Sequence, residues 1–176
     1  MIHRIVVTGA ESTGKTTLAQ ALAKYYDEPW TKEFVRGYVQ QIDRELRPED
    51  IESIARGQLA TEDNQLEQAE RLIIHDTNIL SSIIYAKHYF RIELDWVSKQ
   101  FKERNYTLYL LNMPDIPWKA DPGQRESPTA RTLLHQTFKA KLNFLKLPYI
   151  EVYGSKTERL QQAIENIERQ VLNIER

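Results

Sequence analysis

Cysteine is absent from this 176-residue chain, which excludes disulfide frameworks, zinc ribbons and thiol chemistry and fits a reducing compartment. No excess of charge of either sign is present: 24 basic residues stand against 25 acidic ones, a formal net charge of −1. The chain therefore lacks the electrostatic footprint of a nucleic-acid or anionic-membrane binder. No apolar run approaches the ~20 residues that span a bilayer. With the first apolar strand beginning at residue 2, no signal peptide is expected. These absences predict a soluble cytoplasmic protein with neither nucleic acid nor membrane as partner; they leave the oligomeric state open. The length predicts one domain over 1–176, because a chain of this size already buries about two-thirds of its surface.

Glycine is also scarce, at six residues, yet two of them fall within Gly9-Ala10-Glu11-Ser12-Thr13-Gly14-Lys15-Thr16-Thr17. This stretch matches the phosphate-binding loop G-x-x-x-x-G-K-[ST]. Ile2–Val7 before it is short and β-branched, ready to be a buried parallel strand. Thr17–Tyr26 after it carries apolar residues at helical spacing. A strand, a glycine loop and a helix N-terminus together aim backbone N–H groups and the positive end of the helix dipole at a phosphate. Gly9 and Gly14 supply the bends, and Ala10, Glu11, Ser12 and Thr13 complete the cradle. Lys15 is placed to reach the β- and γ-phosphates of ATP, and the Thr16 hydroxyl to hold Mg²⁺.

The rest of the chain alternates strand and helix, the pattern of an α/β fold with a five-stranded parallel sheet between helical layers. Expected strands are Trp30–Glu33, Leu72–His75, Tyr106–Leu111 and Tyr149–Val152. Expected helices run over Phe34–Asp43, from Pro48 to about Glu67, then Ile79–Tyr89, Leu94–Arg104, Ala130–Leu145 and from Ser155 onward. Ser155 and Glu158 form a capping box. The stripe Leu160, Ile164, Ile167, Val171, Ile174 marks the last helix as core-facing. Trp96 reads as a core residue. The run Glu62, Asp63, Glu67, Glu70, Arg71 reads as a solvated helix face. The four histidines lack metal-ligand spacing. Strand order 2-3-1-4-5 is the usual solution for such a chain.

Ligands of open parallel sheets sit beyond the carboxyl ends of the strands, so the residues there are the candidates for chemistry. Asp76 follows Leu72-Ile73-Ile74-His75 and has the position of a metal-binding carboxylate. Glu33 ends the second strand, where it could accept the proton of an attacking hydroxyl. Residues 113–129 form a proline-rich lid loop, long enough to suggest function. Within it Arg125 can neutralise charge on a transferring phosphoryl group, with Arg131 assisting from the next helix. Trp118 offers a flat stacking surface.

Three functional classes compete for such a loop. A GTPase switch needs a glycine three residues after Asp76 and a lysine in its guanine-reading motif, and both are missing. An oligomeric motor ATPase needs Glu beside Asp76, where Thr77 stands. A small-molecule kinase needs a compact fold, a carboxylate at the second strand and an arginine-bearing lid, all of which are here. A slow ATP-hydrolysing regulator is the reading from another class.

Glu33-Phe34-Val35-Arg36-Gly37-Tyr38-Val39, His75-Asp76-Thr77-Asn78 and Asn112-Met113-Pro114-Asp115-Ile116-Pro117-Trp118-Lys119-Ala120-Asp121 with Arg125 complete a pattern with the phosphate loop. Over residues 5 to about 131 it resembles the nicotinamide riboside kinase domain of NadR-type proteins. It departs from that family in reading Arg36-Gly37-Tyr38 for R-E-Y and Asp76-Thr77-Asn78 for D-T-D. The resemblance implies transfer of the ATP γ-phosphate to the 5′-hydroxyl of nicotinamide riboside; kinases for other nucleosides or nucleotides share the scaffold. In that assignment Lys15, Glu33, Asp76 and Arg125 are catalytic, and Thr16 and Asp76 hold Mg²⁺. The phosphate loop, Arg125 and Arg131 bind ATP. Arg36, Asn78 and Asp121 orient the riboside, and Tyr89, Trp118 or Trp30 stacks on its ring.

Overall fold

The computed structural model describes residues 1–119 and 127–174. Five strands, β1 (His3–Thr8), β2 (Trp30–Thr31), β3 (Leu72–Asp76), β4 (Leu108–Asn112) and β5 (Tyr149–Val152), form one parallel sheet in the order β2-β3-β1-β4-β5. Seven helices among the described residues cover it: α1 (Lys15–Tyr26), α2 (Phe34–Ile42), α3 (Asp50–Leu66), α4 (Ile79–Phe90), α5 (Asp95–Glu103), α6 (Pro128–Phe144) and α7 (Lys156–Gln170).

Strand alternation divides the core in two. Ile5 and Val7 of β1 face α1 and α7 in a cluster with Leu18, Leu22, Ile164 and Ile167. Val6 faces the opposite layer with Leu59, Ile84, Val97, Leu134 and Phe138 from α3, α4, α5 and α6. Both faces of the sheet are therefore covered, which is why the central strands read as unbroken apolar runs and not as alternating ones. Among the described residues, no helix is long and apolar enough to cross a membrane.

The second strand is shorter than expected. β2 stops at Thr31, and Glu33 stands instead as the N-cap of α2. α3 begins at Asp50 after a tight turn through Pro48, where Asp50 and Ile51 donate to the carbonyls of Arg47 and Pro48. α6 begins two residues early because Ser127 caps it by accepting from Ala130 N and Pro128 fills its first position. The Ser155–Glu158 capping box is present, but α7 ends before Ile174, which is exposed and not part of the stripe. Trp96 is half-buried, packed at the core's edge with the Arg56 guanidinium 4.5 Å from its ring.

Glu62 overturns the solvated-face expectation. Its side chain is fully buried, accepting from Tyr106 Oη at 2.7 Å and Gln58 Nε2 at 3.2 Å, with Arg104 Nη1 at 3.5 Å. Arg4 adds a second cation at 3.8 Å. Burial pushes its carboxyl above the ordinary range, and these donors and cations offset part of that rise.

Candidate functional site

The loop between β1 and α1 is built on three left-handed or glycine-type backbone positions: Gly9 at φ 132°, Ser12 at φ 55° and Gly14 at φ 80°. Gly9 is required by contact as well as conformation, since a Cβ there would lie 2.9 Å from the carbonyl oxygen of Asn112 at the end of β4. Gly14 is the N-cap of α1 and offers no side-chain cap, so the first-turn N–H groups face outward toward a ligand. Lys15 and Thr16, in the first turn, point into the site. Lys15 Nζ donates to Ala10 O at 2.8 Å, and Thr16 Oγ1 donates to Asp76 Oδ2 at 2.5 Å. Thr17 follows on α1.

The loop's carbonyls are held from behind. Asn112 Nδ2 and Arg159 Nη1 both donate to Thr13 O, at 2.8 and 3.0 Å, while Arg131 Nη1 donates to Ser12 O at 3.1 Å. Arg131 thus braces the loop through its backbone, with Pro114 O as its second acceptor. Arg159 went unnoticed in the sequence, because nothing local to α7 marks it.

Asp76 ends β3 beside the loop and is 1% exposed. Burial raises its carboxyl to about 6, and the Glu33 carboxylate adds to the rise; the Thr16 hydroxyl, Lys15 and Arg36 offset part of it. Two carboxylates and two cations therefore converge on one point. Asp76 Oδ1 is buried with no hydrogen-bond partner. An orphaned carboxylate oxygen next to a hydroxyl is a hard-oxygen donor pair of the kind that holds Mg²⁺ together with phosphate oxygens and water. Among the described residues there is no cluster of three or more His, Cys, Asp or Glu side chains that could hold a metal by themselves.

A cavity of about 190 Å³ opens beside this point, far more than the space a few waters need. Glu11, Ser12, Lys15, Glu33 and Arg36 line its polar part. Its apolar lining comes from Val39 on α2, Leu46 in the α2–α3 loop, Ile51 and Ile54 on α3 and Tyr85, Tyr89 and Phe90 on α4. The Tyr85 and Tyr89 rings stack, with centroids 5.8 Å apart and planes 6° apart. Ser81 lies on the same face, its Oγ buried without a partner. The i, i+4 spacing of Ser81, Tyr85 and Tyr89 after Asp76 was the readable signal for this wall, and only Tyr89 had been singled out.

The other candidates are distributed as follows. Arg36 stands 3.8 Å from Glu33 across one helical turn. Asn78 borders the cavity, but its side chain is engaged as the N-cap of α4, accepting from Leu80 N, and donates to Tyr109 Oη at 2.9 Å. Trp118 is half-buried and not among the cavity-lining residues; the next backbone amide, Lys119 N, donates to Ser12 Oγ. Trp30 packs against the α1–α7 half of the core. Asp121 and Arg125 lie outside the described residues.

A phosphate loop after β1, a buried acid closing β3 and sheet order 2-3-1-4-5 define a P-loop NTPase fold of the kinase-like kind. The chain belongs to the AAA domain family, whose model matches residues 4–159. The trifunctional NAD biosynthesis/regulator protein NadR of Salmonella typhimurium LT2 is 27% identical to it over 124 residues. NadR of Escherichia coli K12 is equally similar. The match takes in 68% of this chain but 30% of either curated relative. A crystal structure of NadR protein in complex with NR superposes with TM-score 0.80 at 22% identity, over 99% of this chain and 51% of that one. Deoxyadenosine kinase from M. mycoides with bound dATP superposes with TM-score 0.62 at 17% identity, over 94% and 99% of the two chains. The fold is thus shared with both, and the resemblance to the nicotinamide riboside kinase domain of NadR extends over the whole chain.

Proposed function

We propose that this chain is an ATP-dependent kinase that phosphorylates the 5′-hydroxyl of nicotinamide riboside, giving nicotinamide mononucleotide for NAD salvage. The observation that carries the reading is the aromatic-walled cavity lined by Lys15 and Glu33, two of the groups whose charges act on Asp76. Its likeness in sequence and fold to NadR supports the choice of acceptor.

Residues 9–16 cradle the triphosphate of ATP, and Lys15 exchanges Ala10 O for the more strongly accepting β- and γ-oxygens. Thr16 and Asp76 would hold Mg²⁺, which would supply charge neutralisation at the phosphates. Glu33 takes the proton as the 5′-oxygen forms its bond to the γ-phosphorus and the bond from that phosphorus to the bridging oxygen breaks, releasing ADP. Asp76 is the alternative base. Arg36 orients the riboside, and Arg125 would supply charge neutralisation to the transferring phosphoryl group. Tyr85 and Tyr89 present a flat aromatic wall to the nicotinamide ring, whose positive charge adds a cation–π attraction of about 1–2 kcal/mol once desolvated. Asn78 serves this site chiefly by capping α4.

A coupled assay of ADP release tests the proposal. Strong stimulation by nicotinamide riboside is the expected result. Stimulation by a different member of a nucleoside panel would reassign the acceptor, and slow release indifferent to any nucleoside would make the chain a regulatory ATPase. Lys15→Ala abolishes turnover without unfolding the chain if the loop binds ATP as described.

A further inference from the structure

Arg159 sits on α7, far along the chain from every motif, yet it is 4% exposed and bonds to three loops at once. Its Nε donates to Gly154 O at 2.9 Å in the β5–α7 loop. Its Nη2 donates to Met113 O at 3.0 Å and pairs with Asp115 Oδ1, both after β4. Its Nη1 donates to Thr13 O in the phosphate loop. Asp115 in turn accepts from Gly154 N through Oδ2 at 2.6 Å, so the guanidinium is fixed from two sides.

What this does to the phosphate loop follows from peptide geometry. A trans peptide keeps its C=O and N–H antiparallel. Pinning Thr13 O toward α7 therefore aims the N–H of Gly14 the opposite way, toward the concave side where an anion would lie. The restraint matters at this bond in particular, because Gly14 tolerates φ of either sign and a flip of the Thr13–Gly14 peptide meets little steric resistance. A flipped peptide would turn an oxygen toward the phosphates and remove a donor, an error that costs most in a site built on backbone N–H groups.

We propose that Arg159, held by Asp115, is a positioning residue for the phosphate donor: it locks the Thr13–Gly14 peptide in its anion-binding orientation. The inference rests on the reading that the loop binds a nucleoside triphosphate. Asn112 shares the Thr13 carbonyl but carries one donor group to it. Among the described residues, Arg159 alone ties that carbonyl to the segment after β4 and to the β5–α7 loop, so all three loops hold one arrangement.

The test uses Arg159→Lys, which keeps the charge but cannot reach four acceptors, and Asp115→Asn, which leaves Arg159 in place but loosened. Affinities for Mg·ATP and for inorganic tripolyphosphate are measured by calorimetry well below each variant's melting temperature, with Lys15→Ala as control. Arg159→Lys is expected to weaken both ligands on the order of tenfold and Asp115→Asn by less, with the ATP KM raised and the acceptor KM unmoved. Loss of melting temperature with unchanged affinity for both ligands would overturn the proposal and leave Arg159 a structural residue. If Arg159→Lys does not fold, Asp115→Asn decides alone, its partly exposed carboxylate making it the milder change. Wild-type affinity in Lys15→Ala would instead overturn the phosphate-loop reading itself.

Discussion

Gly57→Ala separates stability from catalysis in one methyl group. Gly57 lies in the middle of α3, where alanine is worth about 1 kcal/mol more than glycine by helix propensity alone. A Cβ there, however, would fall 2.1 Å from Cζ and 2.2 Å from Cε1 of Phe34. Carbon–carbon contact begins near 3.5 Å, so the ring has to withdraw by roughly 1.3 Å or more. Overpacking of this kind costs about 1–3 kcal/mol, so the two effects leave a net destabilisation of at most about 2 kcal/mol. The functional effect is larger. Phe34 is the first residue of α2, its N–H is held by Gln58 Oε1 at 3.2 Å, and Glu33 immediately precedes it. α2 buries no residue of its own, so a displaced ring carries the helix start with it. A shift of about 1 Å in a group that meets the reacting atoms costs up to about 10²-fold in rate.

The assay is a pair of measurements on Gly57→Ala: urea unfolding, and steady-state turnover as the concentrations of ATP and nicotinamide riboside are varied in turn. The urea midpoint is expected to fall slightly while kcat/KM for the riboside falls steeply and the ATP KM stays put, since the phosphate loop is untouched. Phe34→Leu in the same chain, which shortens the offending ring, is expected to recover part of the rate. A variant more stable by the full helix-propensity gain, with unchanged turnover, would refute the placement of Phe34 against α3 and its control of Glu33.

Glu62→Leu is expected to lower the urea midpoint by about 1–2 M, because it strands the largely buried Arg4 and leaves the Tyr106 hydroxyl without its acceptor while Arg104 keeps Asp63, for a loss of about 3–5 kcal/mol; an effect no larger than that of Glu67→Leu would contradict the buried network. Asp50 accepts both Arg44 guanidinium nitrogens, Arg47 N and Tyr38 Oη, which hold its carboxyl well below the usual range. Its contribution is therefore present above the ordinary carboxylate pKa and lost as pH falls through the lower folded-state value. The melting-temperature gap between wild type and Asp50→Asn should accordingly narrow in acid, and a gap constant between neutral pH and pH 2 would refute this. Asp76→Asn removes the ionisable oxygen left orphaned beside Thr16; the Mg²⁺-dependent part of ATP affinity is expected to drop by about 10–100-fold, with metal-free ATP binding as the reference that should change little.

How much of this was legible beforehand depended on how far apart in the chain the interacting residues lie. The phosphate loop reads as a loop because Gly9, Gly14, Lys15 and Thr16 act through their own backbone and immediate neighbours, and Asp76 was legible because a strand pattern ends on it. Glu33 differs from its expected place at a strand end: β2 pairs with β3 only over Trp30 and Thr31, and the carboxylate is delivered by the start of α2. Glu62 reads as solvated because Arg4, Arg104 and Tyr106 lie more than 40 positions away in the chain, and its one nearby donor, Gln58, would sit beside it on a solvated helix face as well. Asn78 caps α4 with the side-chain oxygen that a ligand would also draw on.

The same division separates the two halves of the site. Groups placed to touch phosphate or hydroxyl sit at strand ends or at the start of the helix that follows, where the backbone directs them and short motifs record them. The residues that orient those groups, Arg159 behind Thr13 and Gln58 behind Phe34, come from α7 and α3. A buried carbonyl or amide accepts any donor of suitable reach, so such supports have no fixed spacing from the groups they serve. Substitutions in this chain that leave every motif intact can therefore still abolish activity. The residues where that is expected are the ones whose bonds end on backbone atoms of the phosphate loop or of the first turn of α2.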